Sequence, residues 1–415
     1  MNRNTPSTQA GPENSRVHIF DTTLRDGEQS AGVAFSLGDK IEIGLALERL
    51  GVDVVEAGFP CASAGEFEAV RAVASRLENT RVCALARAVE SDIERAWQAI
   101  RGAASPRLHV FVNSSPIQIE HQLRKGRNEV LDQARAAVAF AARRCSDVEF
   151  SPMDATRADL DFLVEIIQAA VESGATVINV PDSVGYALPH EVERLFRVLC
   201  ERVPALDPVG GGVRLSFHGQ DDLGLCTANS MAAIRGGARQ IECTINGIGE
   251  RAGNTALEEV VMAIRTRKDA LGVDHRVHTP HLHAISGLVA ERSGMMVPSN
   301  KAIVGLNAFR HGSGIHQDGI LKHRQTWEIM DPADVGAPAG TQLVMGKLSG
   351  RHAFRKHLET LLGDAVEATT LARAFAAFKT LADDKADVDD RTLRAIATAA
   401  GHRSVVSSNT VEVEG

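Results

Sequence analysis

The sequence predicts an α/β fold, a closed (β/α)8 TIM barrel followed by a mainly helical C-terminal region. Eight short β-branched runs recur between residue 17 and about residue 270. Most of them are continuously apolar, as parallel strands must be when helices cover one face and a packed interior the other. Each is followed by a polar or Gly-containing turn and an amphipathic segment. Eight such units in about 255 residues match a closed barrel better than an open doubly wound sheet.

In chain order the strands are expected at VHIF (17–20), VDVVEAGF (52–59), RVCALAR (81–87) and RLHVFV (107–112). The other four are DVEFS (147–151), TVINV (176–180), VRLSF (213–217) and QIECTI (240–245). Among the helices, TRADLDFLVEIIQAAVES puts Leu160, Leu163, Val164, Ile167 and Val171 on one face. Thr156 and Asp159 are placed there for an N-terminal cap. A barrel gathers its chemistry just after its strands. DTTLRDGEQ follows strand one, SPMDATR strand five, PDSVGY strand six, HGQDD strand seven and NGIGERAGN strand eight.

Beyond residue 272 the rhythm stops. The domain organisation expected is a tail at 1–16, the barrel at 17–272, a linker subdomain at 273–345, a small helical subdomain at 346–402 and a tail at 403–415. The 415 residues include 45 Lys and Arg against 53 Asp and Glu, a net charge of -8. That balance argues against a non-specific grip on nucleic acid or on acidic membranes. No apolar run reaches the roughly 20 residues of a membrane span. The N-terminus has no apolar core and reads as a loose tail, not a signal peptide. The six cysteines lack any C-x-x-C pattern, and read as core residues of a cytoplasmic protein.

Several residues after the strands could carry chemistry. Asp26 can ligate a divalent metal, and Arg25 beside it can neutralise an oxyanion on a substrate carbonyl. The alternative is a surface ion pair in a turn. His218 and Gln220, two apart after strand seven, face the same side; a lone histidine there can equally be structural. Asn254 offers a further oxygen after strand eight. Asn179 and Ser183 suit the hydrogen bonding of a carboxylate, or simply form a turn. His316, set between glycines in GSGIHQDG, stands where a base carried on a lid is sought, or in a flexible loop. His275, His278, His281 and His283 lack strand-end context, which weighs against a metal site.

The segments DTTLRDGEQSAGVAFS, VEAGFP, INVPDSVGY, ECTINGIGERAGNTALEEVVMAI, NKAIVGLNAFRHGSGIHQDG and GKLSGRHAF resemble, in order, the 2-isopropylmalate synthase family. That family belongs to a wider group of metal-dependent barrel enzymes that includes homocitrate and citramalate synthases and hydroxymethylglutaryl-CoA lyase. The resemblance covers roughly residues 17 to 360. It implies a Claisen-type condensation of acetyl-CoA, as co-substrate, with a 2-oxo acid, followed by thioester hydrolysis. By motif match it implies Asp26, His218 and Asn254 as metal ligands, with Gln220 at the remaining ligand's place, and Arg25 as stabiliser of the developing alkoxide. His109, Ser151 and Ser183 would line the oxo-acid pocket. His316 would be the base, supplied across a homodimer by a region that reaches the partner's active site.

The departures bear on chemistry. The family's H-x-H is here His218–Gly219–Gln220, Met153 stands where most relatives have Glu, and Leu348 replaces a His. An amide oxygen in place of imidazole shifts the ligand set towards oxygen, favouring Mg2+ or Mn2+, with Zn2+ as the alternative. The preferred substrate is 2-oxoisovalerate, giving 2-isopropylmalate for leucine biosynthesis. Loss of a carboxylate at Met153 raises another 2-oxo acid as an alternative, such as phosphonopyruvate, 2-oxoglutarate or pyruvate. A lyase of the same barrel group and a non-catalytic paralogue are the remaining readings. The chain stops where leucine-inhibited relatives begin a regulatory domain, so leucine control of that kind is not expected.

Overall fold

The computed structural model describes residues 15–384 and 387–402. Nearly all of both expected tails lies outside the described residues. The chain packs as two compact units that divide between Val297 and Pro298.

The first unit is the barrel. Its strands are β1 (His18–Asp21), β2 (Val54–Glu56), β3 (Arg81–Arg87), β4 (Pro106–Asn113), β5 (Val148–Met153), β6 (Val177–Asp182), β7 (Arg214–Gly219) and β8 (Gln240–Cys243). All neighbours are parallel, and β8 closes on β1 with His18 opposite Gln240 and Asp21 opposite Cys243. Each of the eight expected runs overlaps one of these strands.

Outside the strands run α1 (Leu37–Leu50), α2 (Ala64–Ala74), α3 (Glu90–Ile100), α4 (Arg127–Ala142), α5 (Leu160–Glu172), α6 (Pro189–Arg202), α7 (Cys226–Gly236) and α8 (Leu257–Thr266). The start of α1 is fixed by a reciprocal cap between Ser36 and Asp39, which satisfies two backbone N–H groups that a helix end would otherwise leave unpaired. Ile43, Leu47 and Leu50 of α1 are fully buried against the barrel, each contributing about 1.5–3 kcal/mol by removal from water. On α5 the expected cap is only half correct. Asp159 accepts a hydrogen bond from the Phe162 N–H at 3.1 Å, whereas the Thr156 hydroxyl donates to Asp182 Oδ1 at 2.8 Å. Thr156 lies in a separate short turn before the helix, so it ties two loops of the barrel mouth together instead of capping. Leu160, expected on the apolar face, is 40% exposed at the first turn.

The barrel interior is layered. At the N-terminal ends of the strands the Arg107 guanidinium donates to Glu149 Oε2 and to Gln240 Oε1, each at 2.9 Å. Phe20, Val54 and Cys83 form an apolar cluster further along. Towards the C-terminal ends the inward positions turn polar again, through His109, Ser151, Asn179 and His218, all buried. A helix, α9 (Leu282–Ser293), completes the unit.

The second unit holds a small parallel pair, β9 (Arg310–His311) and β10 (Gln342–Leu343). Its helices are α10 (Gly314–Lys322), α11 (Arg351–Leu362), α12 (Ala368–Ala382) and α13 (Asp390–Ala399). Phe354, Leu358, Leu371, Phe378 and Leu393 form its core, with Phe354 and Phe378 stacked at 4.7 Å between ring centroids. Among the described residues no helix is long and apolar enough to cross a membrane.

Candidate active site

A cavity of about 240 Å3 opens at the C-terminal ends of the strands, and Arg25, Asp26, His109, Ser151, His218 and Gln220 line it. Asn179 and Ser183 line it as well, so the expected barrel residues converge as a group. Two hydrogen-bonded systems share this mouth.

The first is centred on Glu56, at the end of β2 and fully buried. Its Oε2 accepts from Arg25 Nε at 2.6 Å and from the Thr22 hydroxyl at 2.7 Å. Its Oε1 pairs with His109 Nδ1 at 2.7 Å. Burial pushes the Glu56 carboxyl up, but the Arg25 guanidinium and the His109 ring outweigh it and hold the group well below the usual carboxylate range. Conversely, burial disfavours an imidazolium at His109, yet Glu56 raises the net basicity of the ring. A protonated His109 donates from both nitrogens, the second to Ser151 Oγ at 2.7 Å. Asn179 Nδ2 donates to the same oxygen at 2.9 Å. With both acceptor directions filled, the Ser151 proton is left to donate into the cavity. Asn179 Oδ1 is buried without a hydrogen-bond partner. The Ser183 hydroxyl accepts from the Asp154 N–H at 2.9 Å.

Glu56, Cys83 and His109 bring ligand-type atoms within 4.8 Å of one another, the spacing of a possible metal triad. The charges argue for a different role. Both Glu56 oxygens are already engaged, by Arg25 and Thr22 and by His109, and burial keeps the Cys83 thiol protonated, so the triad offers a cation no free anionic ligand.

The second system joins Asp26, His218, Gln220 and Asn254. His218 Nδ1 lies 2.9 Å from Glu242 Oε2; assigning the ring proton to that hydrogen bond turns the Nε2 lone pair towards Asp26 Oδ2 at 3.6 Å. The Gln220 amide is assigned from its partners. Its nitrogen donates to the carbonyls of Gly253 at 3.0 Å and Glu250 at 3.3 Å, so its oxygen lies 3.1 Å from His218 Nε2 and 3.1 Å from Asn254 Oδ1. That atom is 3.4 Å from Asp26 Oδ2. Asn254 Nδ2 is turned away, donating to the Ile248 carbonyl at 3.2 Å. Burial raises the Asp26 carboxyl, but Arg25 and the groups around it win and keep it below the usual range. Arg25 Nη1 donates to Asp26 Oδ2 at 2.8 Å; around that carboxylate the imidazole and two amide oxygens converge with no proton between the amide oxygens, an arrangement that fits a divalent cation with mainly oxygen ligands.

Glycines make room for this loop. A Cβ on Gly249 would fall 2.1 Å from Asn254 Nδ2, and one on Gly253, at φ +98°, would fall 2.1 Å from the Gly247 carbonyl oxygen. Leu85, Phe111, Met153 and Pro181 form the apolar part of the cavity wall, beside the polar Gln29, Glu250 and Arg251.

His316 belongs to the second unit, on α10, with its ring stacked on Trp327 at 3.7 Å. The His275 cluster is structural at its first member, whose ring bonds to the Val261 carbonyl at 2.9 Å and accepts from the Val277 N–H at 3.1 Å. Two site residues had not been singled out from sequence, Glu56 and Glu242. The signal was present: a carboxylate inside an apolar strand run must be paired to be buried.

Comparison with known proteins agrees with this architecture. The HMGL-like family model matches residues 16–289, and the homocitrate synthase post-HMGL domain-like model matches residues 303–386. The 2-isopropylmalate synthase of Hydrogenovibrio crunogenus is 52% identical over 387 residues, covering 93% of this chain and 74% of that protein. That of Pyrococcus abyssi is 52% identical over 381 residues, covering 92% and 77%. Among solved structures, HMG-CoA lyase from Bacillus subtilis shares the barrel fold, with a TM-score of 0.57 at 20% identity over 69% of this chain and 96% of that one. With half of its residues shared across nine-tenths of its length, the chain belongs to the 2-isopropylmalate synthase family.

Proposed function

We propose that this protein condenses acetyl-CoA with 2-oxoisovalerate and hydrolyses the thioester, releasing 2-isopropylmalate and CoA. The observation that carries the reading is a single cavity in which a cation-ready ligand set and Arg25 face an apolar wall. Asp26, His218, Gln220 and Asn254 would hold the ion, with Mg2+ or Mn2+ favoured over Zn2+ because three of the four donors are oxygens. When bound, such an ion polarises the carbonyl and fixes the carboxylate of the oxo acid.

The chain's own residues account for the rest. Arg25, clamped by Glu56, keeps its charge beside the keto oxygen on which negative charge develops. Ser151, Asn179 and Ser183 receive the carboxylate, and His109 holds Ser151 in its donating orientation. Leu85, Phe111, Met153 and Pro181 take the isopropyl group. This wall favours a branched aliphatic oxo acid over 2-oxoglutarate or phosphonopyruvate, since the nearby Arg251 is already paired with Asp222 at 2.8 Å.

His316 is the candidate base for the acetyl methyl proton, and we place it in the site of a second copy within a homodimer. What supports this is the exposure of Ile315 at 76% and Leu348 at 73% beside it, apolar surface that asks for a cover. The six cysteines are free thiols, consistent with a cytoplasmic location. The test is CoA release across a panel of 2-oxo acids. The highest kcat/KM should fall to 2-oxoisovalerate, and equal inactivity on all would overturn the synthase reading.

A further inference from the structure

We propose that the N-terminal face of the barrel, opposite the mouth, carries a second binding site, one that takes a phosphate-type oxyanion. The first residues of β1 and β7 and the residues leading into β1 and β8 meet there. His18, Arg214, Arg16 and Arg239 line a cavity of about 180 Å3 together with Asp207 and Gly211.

The charges on this face do not balance. Asp53 is taken by Arg16 and by Arg276, the latter at 3.2 Å. Asp147 pairs with Arg81 at 2.6 Å and with Arg107 at 3.0 Å. Glu149 pairs with Arg107 at 2.9 Å. These three carboxylates are therefore engaged by four arginines, the Asp207 carboxylate in the cavity wall accepts from the Val209 N–H at 2.9 Å, and the Arg214 guanidinium pairs with none of them. It makes no hydrogen bond or ion pair among the described residues; Arg107 and Arg81 bear on it as cations, and Asp147 and Glu149, both already paired, as anions.

His18 supplies an independent sign. It is buried, and its Nδ1 makes no hydrogen bond, although Asp53 Oδ1 stands 3.4 Å away. Burial and then Arg214 and Arg16 push its pKa down to about 2, so it is a neutral ring with one N–H to donate. A fork of guanidinium donors with no acceptor, beside a buried polar ring, is the complement of an anion with several oxygens. Arg214 precedes His218 by four residues on β7, about 13 Å along the strand. The site is therefore separate from the condensation chemistry and does not depend on that reading.

The experiment is calorimetric titration of the full chain with inorganic phosphate and, separately, with glycerol 3-phosphate, at ionic strength matched with chloride. Saturable binding of one anion per chain is expected, weakened at least about tenfold by Arg214→Gln and less by Arg214→Lys. Tighter binding of the ester identifies the phosphoryl group of a metabolite as the source, and tighter binding of inorganic phosphate identifies the free ion. Unsaturable binding of both, or equal affinity in Arg214→Gln, overturns the proposal. So does binding that is lost with Arg25→Gln and kept with Arg214→Gln, since the anion would then lie in the mouth. If Arg214→Gln does not fold, as judged by its melting curve, density for a soaked tungstate at Arg214 decides in its place.

Discussion

Gln220 Oε1 and Asn254 Oδ1 face each other across 3.1 Å, two acceptors aimed at one point by donors behind them. Backbone carbonyls hold the nitrogen of each amide away from the site, so neither can turn without losing its hydrogen bonds. Lone pairs opposed in this way repel unless a cation lies between them.

Replacing Gln220 should therefore change metal choice more than fold. Gln220→His adds a second imidazole and should raise affinity for Zn2+ relative to Mn2+. Gln220→Leu should weaken Mn2+ binding about tenfold or more. Competition with a calibrated chelator measures both.

Glu56 is the hub on which Arg25 and His109 depend. Glu56→Gln leaves the buried His109 ring facing a neutral partner and Arg25 paired with Asp26 alone, and loss of one side of a buried pair costs about 3–5 kcal/mol. Urea unfolding should show that loss. Under conditions where the variant stays folded, kcat should fall further than KM rises, because Arg25 acts on charge that develops in the transition state.

A base carried across a dimer makes a separate prediction. Arg25→Gln and His316→Gln should each lower CoA release by about 10²–10⁴-fold. Mixing and re-equilibrating the two should restore activity towards a quarter of the wild-type level, the share expected when a mixed dimer rebuilds one intact site out of two. If the mixture stays as inactive as its parts, the base is not shared between subunits.

His275 offers a pH dependence that is structural. Burial holds its imidazole below the ordinary value of 6.5, so the folded chain binds fewer protons there than the unfolded chain. The stabilisation is present above pH 6.5 and is lost as pH falls below it, by up to about 1.4 kcal/mol per pH unit. His275→Gln should flatten the difference between melting curves taken at pH 7.5 and pH 5.5.

Much of the barrel was legible because continuous apolar runs such as RVCALAR have few other uses. β3 spans those seven residues, Arg81–Arg87. Strand-end position marks Arg25, Asp26, His218 and Gln220 as candidates, and they line one cavity; their expected roles came from the family resemblance. Glu56 and Glu242 were hidden by their setting, since each sits within a strand run where pattern reading looks for core side chains. Their role emerges only when His109 and His218, distant in sequence, fold against them at 2.7 and 2.9 Å. Thr156 misled for the opposite reason: its spacing suits a cap, but Asp182 from the next strand takes its hydroxyl.

The claim that an ion occupies the barrel mouth is tested most directly by Mn2+ binding, followed by electron paramagnetic resonance on the purified chain stripped of metal. A single Mn2+ site per chain is predicted, lost in Asp26→Asn and weakened in Gln220→Leu. No bound Mn2+, or binding indifferent to both substitutions, would contradict it.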